Sequence, residues 1–172
     1  MAAARPSGYY RAMIEPEIFK AEAPASAAAQ RQRILVVDDE RMIRQLNTEV
    51  LSCSGYQVDA AENGAVAWDA LQLNNYDLLI TDHDMPKVTG VELLQKIHAA
   101  RMALPVIMAT GTPPEEELDR HPWLQIQAIL LKPYTFNELL GTVKSVLHAA
   151  TGGPQPIAPS RQIQPPDFRL QT

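Results

Sequence analysis

The sequence predicts an α/β fold, a doubly wound five-stranded parallel sheet with helices on both faces. Three observations lead there. Short aliphatic runs recur five times, at positions 34–37, 56–60, 78–80, 106–109 and 128–131. Runs of this kind, apolar on both faces, suit strands buried in a parallel sheet. Between them lie stretches with apolar residues three and four apart, the spacing of one helix face. Strand–helix alternation then calls for right-handed crossovers, which put helices on both sides of the sheet.

Each element carries its own signal. Ile43, Leu46 and Val50 mark a helix after the first run, and Gly55 ends it as a C-terminal cap. After the second run, Asn63 stands where it caps a helix carrying Val66, Ala70 and Leu71. Val91, Leu94 and Ile97 repeat the pattern before the fourth run. Pro113 and Pro114 open a short helix with glutamates 115–117 in its first turn, and Pro122 stops it near Arg120. The last helix carries Phe136, Leu139, Leu140, Val143 and Leu147. Thr135 caps it, with Glu138 three residues on.

A chain of 172 residues has room for one domain plus tails. Residues 1–32, rich in alanine with scattered prolines, read as a flexible N-terminal extension. Tyr10, Ile14 and Ile18 recur there at four-residue spacing, interrupted by Pro16, and suit either a docking segment or a free tail. Residues 151–172 hold Gly152, Gly153 and five prolines and read as a disordered tail. The domain expected between them is 33–150. Within 34–150, 16 acidic side chains face 8 basic ones, a net −8 against −5 for the whole chain. That balance, without a Lys/Arg stripe, argues against direct nucleic-acid binding and suits a divalent cation. The single cysteine, Cys53, excludes an internal disulfide and is expected to be a buried or half-buried apolar residue. No apolar run reaches the ~18 residues that span a bilayer, and no signal-peptide core stands at the N-terminus. A cytoplasmic protein without membrane insertion is expected.

In an open parallel sheet, ligands bind beyond the carboxyl ends of the strands. The first run ends in Asp38-Asp39, the third in Asp82, the fourth in Thr110 and the fifth in Lys132-Pro133. Three carboxylates, a hydroxyl and an ammonium should therefore converge on one rim. Clustered carboxylates repel unless compensated, and Mg2+, a hard cation with oxygen ligands, compensates them. Such a set suits phosphoryl transfer, which needs positioning and charge neutralisation, with one carboxylate as nucleophile.

Four strings make a resemblance specific: Ile34-Leu-Val-Val-Asp-Asp-Glu40, Leu79-Ile-Thr-Asp-His-Asp-Met-Pro86, Pro105-Val-Ile-Met-Ala-Thr-Gly111 and Leu131-Lys-Pro-Tyr134. In order and position they resemble the signature segments of two-component response regulator receiver domains, over about residues 33–150. The resemblance implies a flavodoxin-like receiver fold of the stand-alone, chemotaxis-regulator-like type. It implies Asp82 as phospho-acceptor and Asp39 as direct Mg2+ ligand, with Asp38 beside it acting through water. It also implies a metal contact from the Asp84 backbone carbonyl, Thr110 as switch hydroxyl, and Lys132 as the partner of the phosphoryl group. A cis Lys132–Pro133 bond is a further implication. A sensor histidine kinase or phosphotransfer protein would be the donor, and a downstream protein the target, since no DNA-binding domain follows residue 150.

Two departures bear on output. The family usually has an aromatic residue three positions before the lysine; here it is Ile129, expected as a buried aliphatic without the usual swing. The segment 115–123 also differs from the family's common approach to the fifth strand, and Trp123 is a candidate partner contact. These departures favour the competing reading, a pseudo-receiver acting as a phosphorylation-independent interaction module. Asp82 and Asp84 form an Asp-x-Asp pair, which also suits a phosphatase, although Met85-Pro86 follows it. Asp38 and Asp39 taken alone would suit helix capping. His83, His98, His121 and His148 lack metal-ligand spacing.

Overall fold

The computed structural model describes residues 31–150 except Pro114. The N-terminal extension, its Tyr10/Ile14/Ile18 segment and the Pro-rich tail lie outside the described residues.

Strands and helices alternate from the start: β1 (Arg33–Val37), α1 (Arg41–Cys53), β2 (Gln57–Ala61), α2 (Gly64–Leu73), β3 (Leu78–Thr81), α3 (Gly90–Ala99), β4 (Val106–Thr110), α4 (Glu115–Arg120), β5 (Ala128–Leu131) and α5 (Phe136–Ala150). The strands form one sheet in the order β2-β1-β3-β4-β5. Every neighbouring pair is parallel, so all strand ends of one kind lie on one rim. The order reverses beside β1, leaving a crevice between the ends of β1 and β3.

Alternating residues feed two cores. Leu35, Val37, Leu79, Val106 and Met108 point to one face, against Ala67 and Leu71 of α2 and Val91, Leu94 and Ile97 of α3. Ile34, Val36, Leu78, Ile80 and Ile107 point to the other, against Leu51 of α1 and Leu139, Val143 and Leu147 of α5. Each such burial stabilises by about 1.5–3 kcal/mol. Among the described residues, no helix is long and apolar enough to cross a membrane.

The sheet edges depart from expectation. The two outer strands are not buried throughout: Gln57 and Ala60 of β2 and Ile129 and Leu131 of β5 are exposed. Only the three inner strands are covered on both faces. Ile129, at 43% exposure, is thus not the buried aliphatic its position suggested. The same geometry corrects three helical assignments. The stripe that α1 buries is Asn47, Val50 and Leu51, so Leu46 sits at its border. In α2 the buried positions are Gly64, Ala67 and Leu71, and Val66 faces out. Cys53 ends α1 on its solvent side and is exposed.

The helix ends follow their local chemistry. Asn63 Oδ1 accepts from the amides of Ala65 and Val66 at 3.0 and 3.1 Å. Thr135 and Glu138 form the expected box, the Glu138 amide donating to Thr135 Oγ1 at 3.2 Å and the Thr135 amide to Glu138 Oε2 at 2.7 Å. A second box, Thr89 with Glu92, opens α3. Gly55, just beyond the end of α1, has φ +97°, the left-handed conformation glycine takes at least cost. The short α4 stops at Arg120 and buries none of its described residues.

Two other glycines are tight for space. A Cβ on Gly90 would collide with the Asp82 carbonyl oxygen, and one on Gly64 would lie 2.6 Å from the Val88 carbonyl oxygen. Gly90→Ala and Gly64→Ala are each expected to destabilise by about 1–3 kcal/mol in urea unfolding, as over-packing does. Gly141→Ala in α5, where nothing lies within 4 Å, is the internal control. It should stabilise by about 0.5–1 kcal/mol through helix propensity.

Candidate functional site

The rim at the carboxyl ends of the strands collects the predicted groups. Asp38 follows β1 and Asp82 follows β3, and the two are 2% and 8% exposed. The Asp82 amide donates to the Val37 carbonyl at 2.9 Å, continuing the β1–β3 ladder and fixing the two aspartates side by side. Asp39 stands beside them, exposed; one carboxylate oxygen from each of the three lies within 4.8 Å of the others.

Lys132 reaches this cluster from the end of β5. Its Nζ donates to Asp38 Oδ2 at 2.8 Å and to Asp82 Oδ2 at 2.7 Å. The Lys132 amide donates to the Thr110 carbonyl at 2.9 Å, and the Lys132–Pro133 bond is cis. The other Asp82 oxygen, Oδ1, accepts from the His83 amide at 2.6 Å. Asp38 Oδ1 accepts from the Glu40 amide at 2.9 Å, one residue ahead of α1, so Asp38 orders the turn. The N-cap residue, Glu40, makes no side-chain cap.

The electrostatics follow from burial. Desolvation pushes the Asp38 carboxyl above its ordinary value, outweighing the hydrogen bond and charge of Lys132. Burial alone would lower the Lys132 ammonium, but its hydrogen bonds to Asp38 and Asp82 carry it above its ordinary value. Three carboxylates against one ammonium leave a formal charge of −2, and a divalent cation matches that deficit. The donors are all carboxylate oxygens, the ligand type that Mg2+ takes.

The Asp84 side chain is exposed, 3.7 Å from His83 Nε2; the contact expected of this residue is through its backbone carbonyl, not this carboxylate. Thr110 is fully buried, and its hydroxyl donates to the Thr112 carbonyl at 3.1 Å instead of to a rim group.

Other contacts were not foreseen. Asn47 Nδ2 donates to Tyr134 Oη at 2.7 Å, tying α1 to the segment that carries Lys132, and burial raises the Tyr134 phenol. The signal for Asn47 was present: a polar residue on the buried stripe of α1 needs a partner. Arg44 Nη1 donates to the backbone carbonyls of Asp38 and Asp39, bracing the turn that bears both acids. Nothing in the sequence singled out Arg44, one of several charged residues on its helix.

Known proteins resemble this chain in sequence and fold. Residues 34–144 match the family described as response regulator receiver domain. The transcriptional regulatory protein CusR of Escherichia coli K12 is 30% identical over 115 residues, covering 67% of this chain and 51% of CusR. The chain therefore spans about half the length of that relative. A CheY-like response regulator receiver domain protein from Methanospirillum hungatei JF-1 superposes with a TM-score of 0.68 at 28% identity, over 72% of this chain and 98% of that one. The response regulator TrrA of Thermotoga maritima, solved in complex with Mg2+-BeF, superposes at 0.60 with 36% identity, over 67% and 98%. Sheet order, strand-end acids and the matched segment agree: the chain belongs to the response regulator receiver domain family.

Proposed function

We propose that the chain acts as a single-domain response regulator, its receiver spanning 33–150, that accepts a phosphoryl group on Asp82 from a phosphohistidine of a sensor kinase or phosphotransfer protein. The observation that carries this reading is the Lys132 ammonium held 2.8 and 2.7 Å from two buried carboxylates, with a third beside them. In the transfer an Asp82 oxygen attacks phosphorus, the P–N bond breaks and the imidazole leaves. Lys132, already on Asp82 Oδ2, pairs with an oxygen of the arriving group. The His83 amide keeps the other carboxylate oxygen oriented, so the nucleophile is fixed before the donor arrives.

Asp38, Asp39 and Asp82, with the Asp84 carbonyl, are the residues that would hold Mg2+. When bound it neutralises the charge that develops on the phosphoryl oxygens. TrrA, solved with Mg2+-BeF, supports the assignment by likeness. Output by protein contact is supported by the −8 balance of residues 34–150.

A pseudo-receiver is the second reading. The exposed Ile129 at the usual aromatic position and the Thr110 hydroxyl turned to Thr112 favour it. In the first reading, Thr110 exchanges its Thr112 contact for a phosphoryl oxygen, and the domain shifts between two states.

Incubation with a small-molecule phosphodonor and Mg2+ should add one phosphoryl group, read by intact mass, that Asp82→Asn and a metal-free sample both lack. Labelling by a partner kinase that persists in Asp82→Asn would sink the assignment, and no labelling by any donor would favour the pseudo-receiver.

The burial of Asp38 gives a pH-dependent expectation. Its folded value is raised, so its contribution is fully present below the ordinary value of 3.8 and is lost as pH rises through the folded value. Above that folded value the metal-free protein carries a destabilising charge. Mg2+ at a hundredfold excess over its Kd should stabilise by about 2.7 kcal/mol at pH 7 and much less at pH 4, read by thermal unfolding. Equal stabilisation at both pH values would place the metal elsewhere.

A further inference from the structure

The opposite end of the sheet holds a feature the receiver chemistry does not use. A groove of about 830 Å³ opens between the last turns of α3 and α5 and the irregular segment before β5. Ile97, Met102, Leu104, Leu124 and Val146 line it, so its floor is apolar. On its wall stands Trp123, 48% exposed, the only tryptophan among the described residues with so open a ring. His121 packs edge-on against that indole at 4.7 Å and His98 lies 6.4 Å away, so the ring is held as a platform.

One lip of the groove is formed by Ala149 and Ala150, the end of α5. The chain therefore leaves α5 at the groove itself. Beyond Thr151 come Gly152-Gly153, a pair that permits a reversal, and then Pro154-Gln-Pro-Ile-Ala-Pro159. Polyproline II has three residues per turn, so Pro156 and Pro159 share a face in a P-x-x-P pattern. Segments of this kind dock into aromatic-lined grooves, because their conformation is already extended and little entropy is lost. Five residues lie between Ala150 and Pro156, at most about 20 Å of chain. So short a tether gives an effective concentration in the millimolar range, enough to populate even a weak contact. The segment 154–159 is uncharged, which suits a groove whose lining has no acidic residue and is mostly apolar.

We propose that residues 154–159 of this same chain occupy the groove, with Pro156 and Pro159 packed against the Trp123 indole. The segment covers an apolar patch that would otherwise face solvent, and a partner rich in proline would have to displace it. This occupation is independent of Asp82, since the groove and the carboxylate rim lie at opposite ends of parallel strands.

The test uses the full chain with a nitroxide on Ser160→Cys in a Cys53→Ser background, Cys53 being exposed. The amide signals of Leu104, Gln125 and Gln127 should lose more than half their intensity. Pro156→Ser combined with Pro159→Ser should restore them, as should Trp123→Ala if that variant folds. Equal loss when the nitroxide sits only on isotopically silent chains would mean that a second copy fills the groove. No preferential loss would leave the groove to a different partner. Either result overturns the proposal, and neither touches the phosphoryl reading, which the mass of the same sample checks separately.

Discussion

Everything at the rim depends on how two carboxylates are kept out of water. Asp38 and Asp82 are nearly inaccessible, and their strands are ladder neighbours, so neither can retreat from the other. An unpaired buried charge is costly, and breaking a buried pair costs about 3–5 kcal/mol. Lys132 meets the demand from two strands beyond β3, its stem crossing the end of β4. That reach explains why the lysine is anchored so firmly at its base, by its own amide on Thr110 and by Tyr134 on Asn47. A flexible ammonium without these ties would lose much of the pairing energy to side-chain entropy.

The parallel sheet makes the cluster possible. With all strands running one way, residues far apart in sequence arrive at one edge: Lys132 and Asp38, which meet at 2.8 Å, are 94 positions apart. The crevice beside β1 adds the room, because the chain departs in opposite directions from the two central strands. The inner strands are insulated on both faces by two separate cores, so the rim rests on the least deformable part of the molecule. The site is thus precise for structural reasons that precede any chemistry.

Much of this was legible in sequence, and the exceptions share a cause. Strand ends are local signals, so Asp38, Asp82, Thr110 and Lys132 were placed on the correct elements from the runs that precede them. Caps are local too, and Asn63 and Thr135 behave as their neighbours dictate. Which strand lies at an edge is a property of the whole sheet. Ile129 was therefore misjudged: an aliphatic run reads the same whether or not a neighbour covers it. Phase on a helix is likewise settled by packing, which moved the buried stripe of α1 from Leu46 to Asn47. The orientation of Thr110 is a rotamer choice made by a loop two residues away, and no pattern in the chain encodes it.

The two crowded glycines have a mechanical consequence. Gly90 abuts the Asp82 carbonyl, and its amide donates to the His83 carbonyl at 3.0 Å; Gly64 abuts Val88, at the far side of the same loop, and donates to it at 3.3 Å. The β3–α3 loop is thus held between the first residues of α2 and α3. Those helices also touch each other, with Lys96 over the Trp68 ring at 5.7 Å. A bulkier side chain at either glycine would therefore disturb the peptide at Asp82 and the seat of a helix together, so one flank of the molecule and the rim share a single mechanical tolerance.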